Sequence, residues 1–252
     1  LRIIMERERE IRAFQPVIFW TIQAELKDGE RHRLTFACSA EPTDKREVEK
    51  ILEESKKGAW KIKDIKEIKM ARAPKAPFIT STLQQTASSR LGLAPSRTMS
   101  LAQKLYEAGH ITYMRTDSTN LGALARKEIE NTVKRKYGEN YFESHTFARK
   151  SKNAQEAHEA IRPTHMGSET AGATGAEQRL YALIWQRTIG SQMKSAEVMR
   201  TKIVANIEGD VIPDFWLNGS RITFDGWLRA EPASAGEDVV LPALKTGTPL
   251  RL

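Results

Sequence analysis

A tyrosine and an arginine two residues apart form the first group of side chains that could act on a phosphodiester. They lie in the run Ile111–Ser118, which reads Ile-Thr-Tyr-Met-Arg-Thr-Asp-Ser. In an extended segment Tyr113 and Arg115 point to the same side, with Thr112 and Thr116 beside them as neutral hydrogen-bond donors. A tyrosine that attacks phosphorus needs a cation on the non-bridging oxygens, and the arginine fork supplies one without accepting the tyrosine proton. A half-buried strand tyrosine with its arginine in solvent shows the same pattern, and from the residues alone that structural interpretation is the more common.

A histidine and an arginine four residues apart form the second group, in the run Gln155–Pro163. On a helix His158 and Arg162 would share one face, so both could reach a single phosphate. Glu156 and Glu159 flank them. The alternative is a surface helix, ended by the proline, whose charges pair locally.

Other common catalytic patterns are missing from the sequence. It has no phosphate-binding glycine loop, no nucleophile elbow and no histidine pair at metal-ligand spacing. The acidic residues do not form the dense carboxylate group that Mg²⁺ requires, so we expect no metal ligands in this chain. The single Cys38 excludes a disulfide framework and a thiolate zinc site. No apolar run is long enough to span a membrane and no signal peptide opens the chain, so an intracellular protein without a membrane partner is expected.

Positive charge is concentrated in the middle of the chain. The 252 residues carry a net charge of +8. Residues 71–196 contain 18 basic and 10 acidic side chains, whereas residues 1–70 have a net charge of +2 and residues 197–252 of −2. A basic excess of this kind favours a polyanionic partner.

The periodicity predicts an α+β protein that is β-rich at both ends and helical between them, as if one domain were inserted into another. A helix carrying Ile3 and Ile11 should stop before Pro16, and Asp28-Gly29 should turn a hairpin. Asp44 and Glu47 form a capping-box pattern for a helix that Gly58 ends, and a strand begins at Trp60. Asn218-Gly219 is the signal for a second hairpin turn, and a further strand is expected at Pro249–Leu252.

The middle region is predicted to begin after a linker at Ala71–Pro77 and to be mainly helical. Ser81 and Ser96 are the expected N-caps of a helix-turn-helix pair, and His110–Met114 should be extended. An apolar stripe that includes Leu124 marks the next helix. The four predicted helices are Ser81–Gly92, Ser96–Gly109, Asn120–Gly138 and Glu177–Met193.

With these motifs the sequence resembles the type IA DNA topoisomerases, and most closely their bacterial topoisomerase I branch. The strings that carry the resemblance are Ile111–Leu121, Gln155–Pro163 and Ala76–Gln84, with support from Glu6–Ile11 and Phe224–Trp227. The match spans nearly the whole chain. Met114 after the tyrosine favours topoisomerase I over the topoisomerase III and reverse gyrase relatives.

The resemblance implies a domain organisation. Residues 1–10 would be the tail of a helical domain that binds single strands, and residues 11–72 with 197–252 would form a β-rich arch. Residues 73–196 would be an inserted, helical, winged-helix-like (CAP-like) domain that carries the tyrosine. The chain would be an internal fragment, because the family's Mg²⁺-binding TOPRIM domain would precede it. Mg²⁺ would therefore act in the full-length enzyme and not in this fragment.

The resemblance also assigns roles to individual residues. Tyr113 would be the nucleophile that holds the 5′ end of a broken strand, and Arg115 would stabilise charge on the phosphate. His158 would bind a nearby DNA phosphate. The other residues expected to contact DNA or to hold its binding site together are Thr112, Thr116, Asp117, Arg162, Gln103 and Glu107.

The implied function is cleavage of one DNA strand, passage of another and resealing, which relaxes negatively supercoiled DNA in the cytoplasm at the nucleoid. The expected partners are single-stranded and supercoiled DNA and the missing amino-terminal domain, and the fragment alone should be inactive. Two other interpretations fit the charge distribution. One is a non-catalytic helix-turn-helix module that binds duplex DNA, and the other is a β-rich interaction domain with a solvated basic insert.

Overall fold

The computed structural model describes residues 1–29, 32–147 and 158–252, in which helices and strands both occur. The helices are α1 (Arg2–Ala13), α2 (Lys45–Lys57), α3 (Thr80–Leu91), α4 (Pro95–Glu107), α5 (Ala123–Tyr137) and α6 (Gly175–Gly190). The strands are β1 (Gln23–Asp28), β2 (His32–Cys38), β3 (Trp60–Arg72), β4 (Ala196–Ile207), β5 (Phe215–Phe224) and β6 (Pro249–Leu250). Short 3-10 helices span Glu139–Tyr141, Gly226–Arg229 and Pro232–Ser234. None of the helices among the described residues is long and apolar enough to cross a membrane.

Two compact units divide the chain. The first contains Leu1–Ile68, Met199–Arg221 and Asp238–Leu252, and the second contains Lys69–Val198 and Ile222–Glu237. The predicted borders at residues 72/73 and 196/197 lie close to these divisions, but two details differ. Helix α1 runs through the predicted border at residues 10/11. Residues 222–237, which the resemblance would place in a β-rich arch, belong to the second unit. Trp227 is buried in the helical core, and its indole N–H donates to the Arg72 carbonyl at 2.8 Å.

An antiparallel sheet organises the first unit. The strand order is β1-β2-β5-β4-β3-β6. The predicted hairpin is confirmed, since β1 pairs with β2 in a register that sets Leu26 opposite Leu34, and Gly29 has a φ of 57°. Alternate residues of these strands, with Trp60 and Phe215, form a buried core against helix α2.

Two local predictions in this unit are wrong. Asn218-Gly219 does not turn a hairpin but lies inside β5, where a Cβ on Gly219 would come within 2.5 Å of the Leu241 side chain. The glycine is there because another segment packs closely on the strand. The turn that precedes β5 instead uses Gly209 and Asp210, at φ values of 90° and 51°. Asp44 caps α2 through the Arg46 N–H, without the reciprocal bond expected from Glu47.

The second unit packs its helices around a large apolar core that includes Phe78, Leu101, Ile129 and Ile184. The helix ends differ from prediction. Ser81 and Ser96 lie inside the first turns of α3 and α4, and the Ile79 N–H is capped instead by the Thr82 hydroxyl at 3.1 Å. Helix α4 begins at Pro95, whose fixed φ suits the first helical position.

Helices α5 and α6 also differ from prediction at their starts. Helix α5 begins after Gly122 and not at Asn120, and Leu124, expected on the apolar stripe, is 85% exposed. Helix α6 begins with a capping box between Thr174 and Glu177 that the sequence analysis did not identify. A hydrogen bond from the Ala173 N–H, with further hydrogen bonds from Thr174, holds the pKa of Glu177 below its usual range.

A buried ion cluster joins α3, α6 and the loop after Arg229. The Arg187 guanidinium donates to both carboxylate oxygens of Glu231, at 3.0 and 3.1 Å, and Arg90 Nη1 lies 2.7 Å from Oε1 of the same group. The Arg90 contact is an ion pair without hydrogen-bond alignment. Burial by itself raises the pKa of Glu231, but the two arginines and Ser234 outweigh it, and the net pKa is lowered. Arg187 also stacks 4.2 Å from the Phe78 ring, which fixes the segment leading into α3.

Candidate active site

Two extended segments, one containing Thr112 and the other Arg162, are held side by side in the second unit. The Thr112 N–H donates to the Arg162 carbonyl at 2.9 Å, and isolated bridges pair Ile111 with Pro163 and Phe78 with Ile161. The segment from His158 to Pro163 is therefore not the helix that the sequence predicted. Its main-chain groups pair with neighbouring segments, and proline cannot donate a helical hydrogen bond.

The exposed side of the Tyr113 segment carries the two residues singled out by their spacing. Burial alternates along it: Met114 is 1% exposed and Thr116 is 7% exposed, whereas Tyr113 is 47% exposed and Arg115 is also exposed. Although the segment is not a regular strand, this alternation leaves both Tyr113 and Arg115 exposed to solvent.

Thr80 fixes the backbone of this segment. Its hydroxyl donates to the Met114 carbonyl at 2.8 Å, lies 3.0 Å from the Thr116 carbonyl and accepts from the Thr116 N–H at 3.0 Å. The Thr80 N–H also donates to the Thr116 carbonyl at 3.0 Å. Arg115 is therefore held between two anchored residues, which limits the directions its side chain can take.

An open groove of about 470 Å³ brings several of the expected site residues together. Its walls include Arg115, Thr116, Asp117 and His158, with Ser81 and Gln84 from the first turn of α3. His158 is exposed. Tyr113 does not line the groove and lies two residues before Arg115 in the chain. The groove therefore has the cation and the imidazole that could bind a phosphate.

Arg162 does not join this groove. Its Nη2 and Nε donate to Glu159 Oε2 at 2.6 and 3.1 Å, and Nη1 donates to the Pro163 carbonyl at 2.9 Å. Glu159 Oε1 in turn accepts from the Gly122 N–H at 2.6 Å. The prediction that His158 and Arg162 share one helical face is wrong, because the extended backbone separates them and Arg162 anchors the start of α5 instead. Gln155 and Glu156, which belong to the same predicted motif, lie outside the described residues.

The two threonines expected beside the phosphate bind protein groups instead. The Thr112 hydroxyl donates to the Ala160 carbonyl at 2.7 Å and accepts from the Arg162 N–H at 3.0 Å. The Thr116 hydroxyl accepts from the Ser118 N–H at 3.0 Å. Both hydroxyls therefore stabilise the local backbone.

Helix α4 approaches Tyr113 through a different residue from those expected. Gln103 donates to Glu107 at 2.7 Å, so these two side chains bind one another. Between them in sequence, Tyr106 packs edge to face against Tyr113, with ring centroids 5.3 Å apart. Such a contact orients the phenol ring without using its hydroxyl.

The described residues offer no place for the Mg²⁺ that the resemblance implies for the full-length enzyme. No three of their His, Cys, Asp and Glu side chains come together in a way that could hold a metal ion. Mg²⁺ needs several oxygen ligands, and the described residues bring no such group together.

Sequence reasoning missed the site contributions of Thr80, Ser81, Gln84 and Tyr106. The first three lie in the Ala76–Gln84 string that carries the resemblance, but the local pattern indicates only that Ser81 caps a helix. A local pattern cannot show that the start of α3 pairs with a segment over thirty residues later. Tyr106 carried a usable signal, because it is an aromatic residue on the polar side of an amphipathic helix that leads to Tyr113.

All the comparisons with known proteins identify the same family, the DNA topoisomerases. The family model described as DNA topoisomerase matches residues 1–252. DNA topoisomerase 1 of Pseudomonas aeruginosa is 39% identical over 264 residues, which cover 100% of this chain and 30% of that protein. DNA topoisomerase 1 of Vibrio cholerae is also 39% identical, with the same coverage. Full-length topoisomerase I from Thermotoga maritima matches in structure with a TM-score of 0.78 and 29% identity, over 99% of this chain and 42% of that one.

Proposed function

Because this chain belongs to the DNA topoisomerase family, we propose that it is the part of a longer type IA enzyme that carries the DNA-cleaving tyrosine. The chain spans 30% of the length of the first two curated relatives, so the complete reaction involves more than these residues. The observation that carries the proposal is the arrangement at Tyr113. An exposed phenol and an exposed arginine lie two residues apart on a segment that Thr80 holds fixed, and the arginine shares a groove with His158.

The proposed chemistry is a reversible exchange of one phosphodiester for another. The Tyr113 Oη attacks phosphorus, the bond to the 3′ oxygen breaks, and a 5′-phosphotyrosine and a free 3′-hydroxyl result. The phenol proton passes to a base and the leaving 3′ oxygen takes up a proton, so the step conserves charge. Attack by the 3′-hydroxyl on the phosphotyrosine reverses it and reseals the strand.

Arg115 is proposed to stabilise the negative charge that builds on the non-bridging oxygens, and His158 to hold a neighbouring phosphate. An arginine fork directs two N–H groups at two oxygens, which a lysine cannot do. The Tyr106 ring would orient the attacking phenol. In this proposal Thr112, Thr116, Arg162 and Thr80 hold the backbone, and Gln103 and Glu107 support the helix beside the tyrosine.

The finer features follow from the same proposal. The second unit would act as a winged-helix-like module that takes up a single strand, and the complete enzyme would relax negatively supercoiled DNA at the nucleoid. The amino-terminal domain would supply Mg²⁺ and the proton acceptor. Binding of single strands by this chain should be salt-dependent, with a log–log slope of roughly −0.7 for each phosphate neutralised.

Substitution of Arg115 tests the proposal in the full-length protein that contains this chain. Arg115→Lys should reduce cleavage of a labelled single-stranded oligonucleotide far more than it reduces binding, because it keeps the charge and loses the fork. His158→Ala should weaken productive binding. Arg97→Lys, an exposed arginine at the start of α4, is the matched control and should change neither step.

The same experiment separates the proposal from a non-catalytic helix-turn-helix module. Such a module would prefer duplex DNA and would leave no covalent adduct whichever arginine is changed. Small and equal effects of Arg115→Lys and His158→Ala on binding and on cleavage would contradict the proposed roles.

A further inference from the structure

A groove on one face of the sheet in the first unit is lined by more basic than acidic side chains. It has a volume of about 710 Å³ and is formed by strands β3, β4 and β5. Three basic side chains, Lys66, Arg200 and Lys202, line it together with one carboxylate, Asp64. The first unit as a whole has 20 basic and 18 acidic residues, a net charge of +2. The side chains of this groove alone also have a net charge of +2.

The same face also has polar and apolar groups suited to a nucleobase. Val204 and Ile68 line the groove, and Ile68 is 47% exposed. Asn218 contributes a side-chain amide, which can donate and accept. Trp216, also on β5, is partly exposed, and the Lys202 Nζ lies 5.7 Å from its ring centroid. The ring face is therefore covered by a flexible lysine side chain that can swing aside.

We propose that this face of β3, β4 and β5, which we term the sheet groove, binds a segment of single-stranded DNA. Lys66 is on β3, and Arg200 and Lys202 are two residues apart on the neighbouring strand β4, so the three cations can follow a phosphate backbone. The Trp216 ring can stack a base once Lys202 moves to a phosphate, as aromatic residues do in single-strand-binding proteins. A duplex keeps its bases stacked inside, and an acidic peptide has no base for the tryptophan. That DNA is the natural polyanion rests on the proposed function, but the sheet groove is built from first-unit residues alone.

Tryptophan fluorescence of this chain, titrated with an oligothymidylate of about ten nucleotides, tests the proposal. Stacking on Trp216 should quench part of the emission, and Trp216→Leu should remove that part and weaken binding by about fivefold to a hundredfold. Arg200→Glu with Lys202→Glu should lower the magnitude of the log–log salt slope by about 1.4. Lys66→Ala removes one positive charge from the same groove and should lower the magnitude of the salt slope by a smaller amount.

The matched control is Lys50→Glu with Lys56→Glu, two exposed lysines on α2. It changes the net charge equally, so a purely nonspecific attraction would weaken binding alike in both double variants and would overturn the proposal. Equal quenching by polyglutamate, or no loss of quenching in Trp216→Leu, would also overturn it. Arg115→Ala should leave the Trp216 quenching in place. If the quenching by Trp216 is observed but the unsubstituted full-length protein forms no covalent adduct with DNA, the proposed function fails while the sheet groove stands.

Discussion

Replacing Thr80 by valine should loosen the segment that carries Tyr113 and Arg115. Valine has nearly the same shape but cannot accept from the Thr116 N–H or donate to the Met114 carbonyl, which the hydroxyl does at 3.0 and 2.8 Å. Each lost hydrogen bond costs about 1 kcal/mol, so the free energy of unfolding of the second unit should fall by about 2 kcal/mol. The Thr80 N–H bond to Thr116 survives the substitution, which keeps the effect local.

Hydrogen exchange and urea unfolding would measure this effect. The Thr116 amide should exchange about 30-fold faster in Thr80→Val, the factor that corresponds to 2 kcal/mol. Thr80→Ser keeps the hydroxyl and should retain most of the protection, and Thr86→Val is a control on the same helix. In the full-length protein, cleavage should fall more than strand binding. Equal exchange rates in Thr80→Val and Thr80→Ser would refute the assigned role of the hydroxyl.

Two further predictions concern buried groups of the second unit. Glu231→Gln should destabilise the unit by about 3–5 kcal/mol in thermal or urea unfolding, because it leaves Arg187 and Arg90 without their carboxylate; Glu237→Gln, an exposed neighbour, should have little effect. Since the pKa of folded Glu231 is lowered, its contribution to stability is present above the unfolded pKa of about 4.3 and is lost as the pH falls through the folded value, which a stability series in acid would detect. Burial raises the pKa of Tyr137 to about 12, so an ultraviolet titration should show one phenol that ionises near that pH and is absent in Tyr137→Phe. The contribution of the neutral Tyr137 phenol to stability should be lost as the pH rises above about 10. Ionisation of Tyr137 near pH 10 in the folded chain would contradict the raised pKa.

Local sequence signals predict much of the secondary structure, because proline restricts the backbone and glycine adopts the positive φ values that tight turns and helix ends need. The hairpin at Gly29 and the end of α3 at Gly92 were predicted for this reason and are confirmed. The same kind of signal failed at Gly219, where the glycine makes room for Leu241 and does not turn the chain. A glycine pattern alone does not distinguish these two uses, since the neighbour that demands the space lies more than twenty residues away.

The features of the site that depend on the spacing of nearby residues could be predicted from the sequence. Those that depend on hydrogen bonds between segments far apart in the chain could not. Tyr113 and Arg115 are both exposed, between the buried Met114 and Thr116, because burial alternates along an extended segment. Arg162 was assigned to the phosphate from a helical spacing, but hydrogen bonds to Thr112 and Phe78 keep the segment before Pro163 extended and turn Arg162 toward Glu159. The hydrogen bonds of the Thr80 hydroxyl are also contacts between residues far apart in the chain. A local sequence pattern does not predict such contacts.

The most direct measurement is the identification of the residue that becomes attached to DNA. The full-length protein would be incubated with Mg²⁺ and a labelled single-stranded oligonucleotide, stopped with denaturant, digested and analysed by mass spectrometry. We expect a 5′-phosphotyrosine on Tyr113, no adduct in Tyr113→Phe, and an adduct still on Tyr113 in Tyr106→Phe. A covalent link on another residue, or an adduct that persists in Tyr113→Phe, would contradict the assignment of Tyr113 as the nucleophile.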